Sequence, residues 1–345
     1  QVQASGGAGG PLPAPRAVGY AVVREAGATP EASKAAAVRR QGVCMQVLAS
    51  IFLATMVSLA KHLEGGTGVH EDALPTGGGA AAVALPVMEV VLVRSLLVSA
   101  TSLAVLAAER TSPLGRPPCQ PLLWLRGALG AGAVITMFFA VTLLPLVEVI
   151  ALTFTMPLWG ALFGRLFLGE PLPRVLAVAL PACAAGVVLI TEPWAPHSAD
   201  AFPRRGLGAA VALCHAALSA AAKTCVRALG KGGHHPQVIV LYLTLCGSAI
   251  SASVLFGLQG GPVAPLPRQW ALLCATGACA FGSQTFSTLA LRDISVGEAA
   301  VVNYLSLVWS ELYGFLAFQE APSLNGTVGG LIVVGCTLGM LLMKR

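Results

Sequence analysis

Residues 148–170, EVIALTFTMPLWGALFGRLFLGE, are matched 150 positions later by residues 298–320, EAAVVNYLSLVWSELYGFLAFQE. Both stretches begin and end with glutamate and carry a tryptophan at one shared offset, Trp159 in the first and Trp309 in the second. Each stretch is predominantly apolar and about 20 residues long, which is the length of a helix that crosses a bilayer. The repeated pattern therefore predicts two equivalent membrane-spanning segments.

The composition of the whole chain points to the same class of protein. The chain has 345 residues, of which 56% are apolar and only 10% are charged, against roughly 25% charged residues in soluble domains. Such a composition excludes a soluble globular protein and, for most of the chain, disorder. It predicts an all-α integral membrane protein with about ten spans. The predicted spans are 43–63, 84–108, 122–143, 145–168, 172–191, 206–229, 237–258, 268–291, 297–319 and 323–343.

The duplication extends beyond the two quoted stretches. The same shift of 150 positions brings Pro86 onto Pro236 and Gly132 onto Gly282, and a different offset pairs Lys61 with Lys223. Each copy therefore contains five helices, and because five is odd the second copy must enter the membrane upside down. This is the plan of inverted-repeat secondary transporters. The predicted organisation is a flexible N-terminal tail at 1–41, a first repeat at 43–191, a linker at 192–205 and a second repeat at 206–343.

The loop charges predict an orientation. With the N-terminus in the cytoplasm, fifteen lysines and arginines, Arg126 among them, fall on the cytoplasmic side, and only Arg204, Arg205 and Arg268 fall on the other. Because cytoplasmic loops are enriched in Lys and Arg, both termini are predicted to be cytoplasmic. The same bias accounts for the net charge of +6, so that nucleic acid is not an expected partner.

Several short stretches carry a family resemblance. They are LRGALG (125–130), FFA (138–140), TFTMP (153–157) and FLGE (167–170), with a looser second copy from 290 to 320 that has Leu307 where the first has Pro157. Together with Arg94 in the second span, these residues resemble the EamA module of the drug/metabolite transporter superfamily. The resemblance covers 43–343 and implies a ten-helix carrier of two inverted halves with cytoplasmic termini. The motif residues that it implicates are Glu148, Glu170, Glu298, Glu320 and Pro157.

Two ionisable residues are predicted near the middle of the membrane, Arg94 in the second span and Glu311 in the ninth. A charge at that depth costs about 2.5–3.5 kcal/mol and usually marks a transport pathway. We expect Arg94 to hold an anionic group of a substrate or to act as a gate partner of Glu311. Glu311 is a candidate for coupling proton uptake to transport. The alternative is a buried ion pair that only fixes helix packing.

Further polar residues are candidates for the wall of a substrate cavity. Lys223 lies near a helix end, where its ammonium either reaches the headgroups or joins Arg94 in a site that favours anions. Asn303, Tyr304 and Gln284 lie at mid-depth and either line the cavity or bond a neighbouring helix. Glu148 and Glu298 are expected to begin helices and offset the helix dipole, and Glu170 and Glu320 to close helices at the interface.

These observations predict a secondary-active transporter of a small anionic or zwitterionic metabolite, proton-coupled or exchanging. The alternatives are a non-transporting scaffold or channel-like protein and, less favoured, an intramembrane enzyme. Neither a metal-ligand cluster nor a nucleotide-binding loop is present in the sequence, so that no catalytic residue and no cofactor is predicted. The lipid bilayer is the expected surroundings, and G-x-x-x-G spacings such as Gly160/Gly164 allow close helix packing within the bundle or in a homodimer.

Overall fold

A computed structural model gives the fold of the chain. It describes residues 30–63, 85–115, 117–144, 149, 152–153, 155–170, 174–191, 205–318 and 324–342. Every regular element in these ranges is helical. The α-helices are α1 (Pro30–Leu63), α2 (Val87–Ala108), α3 (Gln120–Leu143), α4 (Met156–Leu168), α5 (Arg174–Thr191), α6 (Arg205–Lys231), α7 (Pro236–Leu258), α8 (Pro267–Asp293), α9 (Val296–Asn303), α10 (Leu305–Phe318) and α11 (Leu324–Leu342), and a short 3₁₀ turn, Pro117–Cys119, precedes α3.

The helices follow the predicted spans except at the start of α1 and at a turn within one span of each repeat. Helix α1 begins at Pro30, so that residues 30–41, predicted as part of a flexible tail, are helical. The predicted span 297–319 is two helices, because the chain turns at Tyr304, whose backbone N–H donates to the carbonyl of Val301. The first repeat shows the matching turn, where Thr155 N–H donates to the carbonyl of Leu152. Only the first copy has a proline, Pro157, directly after this break.

Several helices begin with a proline in the first turn, and one begins with a capping box. Pro157, Pro236 and Pro267 each lie in the first turn of a helix, where the missing N–H has no intrahelical partner to lose. At the start of α9, the Ser295 side chain accepts from the N–H of Glu298, and the Glu298 carboxylate accepts from the N–H of Ser295. This reciprocal capping box satisfies two otherwise unpaired donors.

The surface of the bundle is apolar. Large hydrophobic side chains face outward along the helices, among them Phe167 at 75% exposure and Leu258 at 83%. Within the described residues, four helical segments are long and apolar enough to cross a membrane by length and composition: Ser33–Ala60, Val87–Ala108, Gly206–Lys231 and Pro236–Leu258. A multi-helix protein with this outer surface is stable only where lipid replaces water.

Helix packing is matched between the two halves of the chain. Helix α1 packs on α8, and α6 packs on α3; α2 packs on α7, and α5 on α11. Cross-contacts between α2 and α8 are matched by contacts between α3 and α7. The central part of the bundle is thus built from α2, α3, α6, α7 and α8, with helices of both halves facing one another.

Buried apolar side chains are concentrated at one end of the bundle. The largest cluster of buried apolar side chains lies where α6 and α8 end and α7 and α9 begin, and includes Val226, Ile239, Leu291 and Val301. Ion pairs lie at the same end and are described with the motif residues below. We refer to this end, defined by the ends of α6 and α8, as the closed end.

Candidate functional site

A central cavity of about 220 Å³ lies between helices of both halves. Helices α2 and α3 of the first half and α6, α7 and α8 of the second form its wall. Its polar and charged lining residues are Arg94, Ser95, Arg126, His215, Ser219, Lys223, Thr244 and Gln284. The remaining lining residues are small or apolar, which is the usual character of a small-molecule site with a few orienting polar groups.

Three cationic side chains converge on the central cavity from three helices, Arg94 from α2, Arg126 from α3 and Lys223 from α6. Among the described lining residues no carboxylate is present to balance these charges. The arrangement is therefore suited to a negatively charged ligand.

Arg126 is the most deeply buried of the three cations. Its exposure is only 7%, and its Nε–H has no hydrogen-bond partner among the described residues. The guanidinium lies over Gly130 one turn further along α3, where a Cβ atom would stand 2.6 Å from Nη1. A buried donor without a partner is costly, and here the donor belongs to a cavity-lining residue.

The sequence-based prediction missed the role of Arg126, because the charge lies near the start of a predicted span and was counted among the cytoplasmic loop charges. In the structure α3 begins at Gln120, so that Arg126 lies almost two turns inside the helix. Gly130, four residues later, is the one local sequence signal, because it leaves room for a side chain that extends forward along the helix.

The other polar lining residues provide donors and acceptors. Arg94 Nη1 donates to Met56 Sδ at 3.4 Å, which is a weak interaction because thioether sulfur is a poor acceptor. His215 Nδ1 lies 2.7 Å from the carbonyl oxygen of Ala133, so that Nδ1 donates and Nε2 remains available. Gln284 lines the cavity from α8. Lys223 and Gln284 thus lie with Arg94 in the central cavity.

Two further candidates from the sequence lie elsewhere. The Asn303 side-chain oxygen accepts a hydrogen bond from Gln46 Nε2 at 3.3 Å, and Tyr304 is 3% exposed within the largest apolar cluster. Neither is among the residues that line the central cavity. Glu311 belongs to helix α10, and its side chain lies outside the described part of the structure, as does that of Lys61.

The described motif glutamates form ion pairs at the closed end. Glu298 Oε1 accepts from Arg39 Nη2 at 2.9 Å, which ties α9 to α1. Glu170 Oε1 accepts from Arg227 Nε at 2.7 Å and from Lys231 Nζ at 2.8 Å, which ties the end of α4 to α6. Pro157 is buried at the start of α4. Glu298 lies in the first turn of α9, and Glu170 follows the end of α4 by two residues, whereas Glu148 and Glu320 lie outside the described residues.

We expect a Gly130→Ala substitution to impair ligand binding more than folding. The new Cβ would meet Arg126 Nη1 at 2.6 Å and Leu243 Cδ1 at 2.5 Å, and both atoms are ends of flexible side chains that can move away. Displacing the guanidinium weakens a charge-assisted hydrogen bond to an anion, worth about 1.5–3 kcal/mol, so that uptake at low substrate concentration falls about tenfold or more. Initial uptake rates in proteoliposomes measure the effect, and unfolding temperature in detergent is its stability control.

Gly257 in α7 offers the matched control, because a Cβ atom there would meet nothing within 4 Å. Gly257→Ala should leave uptake unchanged. Equal losses of uptake in the two variants would contradict the role given to Gly130.

The comparisons with known proteins agree with this architecture. The profile of the EamA-like transporter family matches the chain twice, at residues 76–192 and 206–342. The chain is 28% identical over 298 residues to the pseudopaline exporter CntI of Pseudomonas aeruginosa, covering 86% of this chain and 95% of the exporter. It is 28% identical over 234 residues to the riboflavin transporter of Brucella anthropi, covering 67% and 78% of the two chains. Solute carrier family 35 member G1 of Mus musculus is 26% identical over 238 residues, covering 67% and 64%.

A solved crystal structure shares the fold. It covers 91% of this chain and 98% of its own chain with a TM-score of 0.66, at 20% sequence identity. At that identity the likeness extends to the fold alone. The two family matches, which together span most of the helical region, establish that the chain belongs to the EamA-like transporter family.

Proposed function

We propose that the chain is a secondary-active transporter that carries a small metabolite with at least one negative group through the central cavity. The observation that carries the proposal is the convergence of Arg94, Arg126 and Lys223 on this cavity, without a carboxylate among the described lining residues. Buried cations are costly, and a substrate anion would offset that cost while it is bound. A non-transporting scaffold gives no reason to keep three such charges around an internal space.

Alternating access is the mechanism that we propose. The matched packing of the halves, α1 on α8 and α6 on α3, supports ten spans arranged as two inverted five-helix repeats that rock about a shared site. The ion pairs of Glu298 and Glu170 at the closed end support a state in which that end is shut. Breaking these pairs while the opposite end closes would expose the cavity to the other side. On the basis of the positive-inside count, we propose that the closed end faces the cytoplasm.

The names of the relatives support transport of organic molecules in general. One is named an exporter of pseudopaline and another a transporter of riboflavin, so that these two relatives do not share a substrate. Both names describe transporters rather than enzymes. We therefore base the substrate class on the charges of this cavity and not on either relative.

Uptake into liposomes that contain the purified protein tests the proposal. Labelled amino acids, organic anions and nucleotide sugars are offered in one pool, with and without a pH gradient, against protein-free liposomes. We expect saturable uptake of one anionic class. Absence of uptake by folded protein in both membrane orientations and with counter-substrate loaded inside would favour the scaffold alternative and contradict the proposal.

Proton coupling through Glu311 is the second element of the proposal. A carboxylate in a membrane helix is a natural proton carrier, because its charge is costly there and protonation removes the cost. Glu311→Gln should abolish the stimulation of uptake by a pH gradient while exchange of substrate for substrate continues. Full retention of the pH-gradient dependence in this variant would exclude Glu311 as the coupling residue. Glu109→Gln is a control, since Glu109 is half-exposed and pairs with His235 outside the cavity.

A further inference from the structure

From the charge balance of the central cavity we infer that its substrate is a compact organic anion with two or three negative groups, and not a zwitterion. This inference rests on the proposed function and narrows its substrate class. It follows from three separate features of the cavity, which are the number of cations, the identity of the neutral polar residues and the available volume.

The number of cations sets the number of negative groups. Arg94, Arg126 and Lys223 line the cavity from three different helices and, with no carboxylate among the described lining residues, bring up to three positive charges to it. A monoanion would leave two cations uncompensated inside the membrane, which is unfavourable. A ligand with two or three negative groups would balance more of this positive charge.

The neutral lining residues argue against a zwitterion. A substrate ammonium needs acceptors and is best held by a carboxylate, yet the described wall offers only neutral groups such as Gln284, Ser95 and Ser219. The three nearby cations would repel an ammonium in the same small space. An α-amino acid would therefore bind less tightly than the same molecule without its amino group.

The volume favours a short carbon skeleton. The cavity of about 220 Å³ is smaller than the roughly 300–1,000 Å³ that is typical of sites for drug-sized ligands. A guanidinium pairs equally well with carboxylate and phosphate through its planar fork. The shared chemistry is thus a small polycarboxylate or a small phosphate ester, and the experiment below separates the two.

Thermal stabilisation of the purified full-length protein in detergent measures binding without requiring transport. The probes form a charge series of butyrate, succinate and tricarballylate, with aspartate as the amino-substituted match of succinate and glycerol 3-phosphate as the phosphate arm. We expect apparent affinity to rise along the series and succinate to bind more tightly than aspartate. Tighter binding of glycerol 3-phosphate than of succinate would assign the site to phosphate esters. Butyrate or aspartate equal to succinate, or no stabilisation by any multiply charged probe at millimolar concentration, would overturn the inference.

Charge variants test whether the cavity cations cause this preference. Removing one member of a buried charge pair typically weakens binding by roughly thirtyfold or more, so that Arg126→Gln should reduce affinity for tricarballylate by that factor and narrow its advantage over butyrate. Arg126→Lys keeps the charge and should retain part of the preference if Arg126→Gln proves unstable. Arg268→Gln removes an exposed arginine at the start of α8 and should change nothing. An unaltered charge preference in Arg126→Gln, Arg94→Gln and Lys223→Gln would overturn the inference.

The same probes keep this inference separate from the proposed function. Binding in the expected order without any uptake by proteoliposomes would contradict the transport proposal and leave the substrate class standing. Saturable uptake with a preference for butyrate or aspartate would contradict the substrate class and leave transport standing.

Discussion

Arg94→Ala is expected to reduce substrate uptake at low concentration by roughly thirtyfold or more, the typical loss when one partner of a buried charge pair is removed. Arg94 lines the central cavity from α2, and its one hydrogen bond to the described residues is a weak contact with Met56 Sδ at 3.4 Å. The described contacts therefore hold the guanidinium only weakly and leave donors for a bound anion. The loss should appear mainly as an increased KM, measured from initial rates in proteoliposomes.

Two further variants test whether the loss of uptake is caused by the missing charge of Arg94. Arg94→Lys keeps a positive charge but loses the planar fork that suits carboxylate and phosphate, so that its uptake should lie between those of the wild type and Arg94→Ala. Arg268→Gln, at an exposed position, should transport normally. Wild-type uptake by correctly folded Arg94→Ala protein would show that Arg94 contributes only to packing.

Gly127→Ala is expected to destabilise the protein by about 1–3 kcal/mol, the typical cost of overpacking a close contact. A Cβ atom at Gly127 would stand 2.5 Å from Cys246 Sγ and 2.7 Å from the backbone oxygen of Tyr242, both on α7. A backbone oxygen cannot rotate away as a side chain can. The helices α3 and α7 would therefore have to separate, which lowers the unfolding temperature in detergent.

The matched control for this second variant lies on the opposing helix. Gly257 belongs to α7 as well, and a Cβ atom there would meet nothing within 4 Å. Gly257→Ala should be neutral or slightly stabilising, because alanine is the better helix former by roughly 0.5–1 kcal/mol. An unfolding temperature of Gly127→Ala at or above that of Gly257→Ala would mean that α3 and α7 are not in tight contact at Gly127.

Arg94→Ala and Gly127→Ala test different properties, the charge of the cavity wall and the packing of two helices. Arg94→Ala removes a charge from the wall of the cavity and should leave the bundle intact, whereas Gly127→Ala changes the contact between two helices that also carry cavity residues. Gly130 lies one turn from Gly127, but a Cβ atom at Gly130 would meet only the ends of flexible side chains. Arg94→Ala should therefore lower the uptake rate with little change in unfolding temperature, whereas Gly127→Ala should lower the unfolding temperature. Gly130→Ala should resemble Arg94→Ala.

Much of the fold follows from local sequence patterns. The apolar segments, the repeated stretches 148–170 and 298–320 and the loop prolines predict an all-α membrane protein and locate most helices. Hydrophobicity and backbone capping act over a few residues, so that they can be read along the chain. The break at Tyr304 is harder to predict, because the second copy has Leu307 where Pro157 marks the equivalent helix start in the first.

The sequence by itself determined the class of protein, its duplication, the family resemblance and the presence of Arg94 within a span. Only the tertiary structure decided that Arg94, Arg126, Lys223 and Gln284 share one cavity, while Asn303 and Tyr304 lie outside its wall. The physical reason is that hydropathy reports the depth of a residue in the membrane but not the neighbours that its helix face will meet. Arg126 became a buried cavity residue through the packing of α3 against α6 and α7, and these contacts join residues that are far apart in the chain.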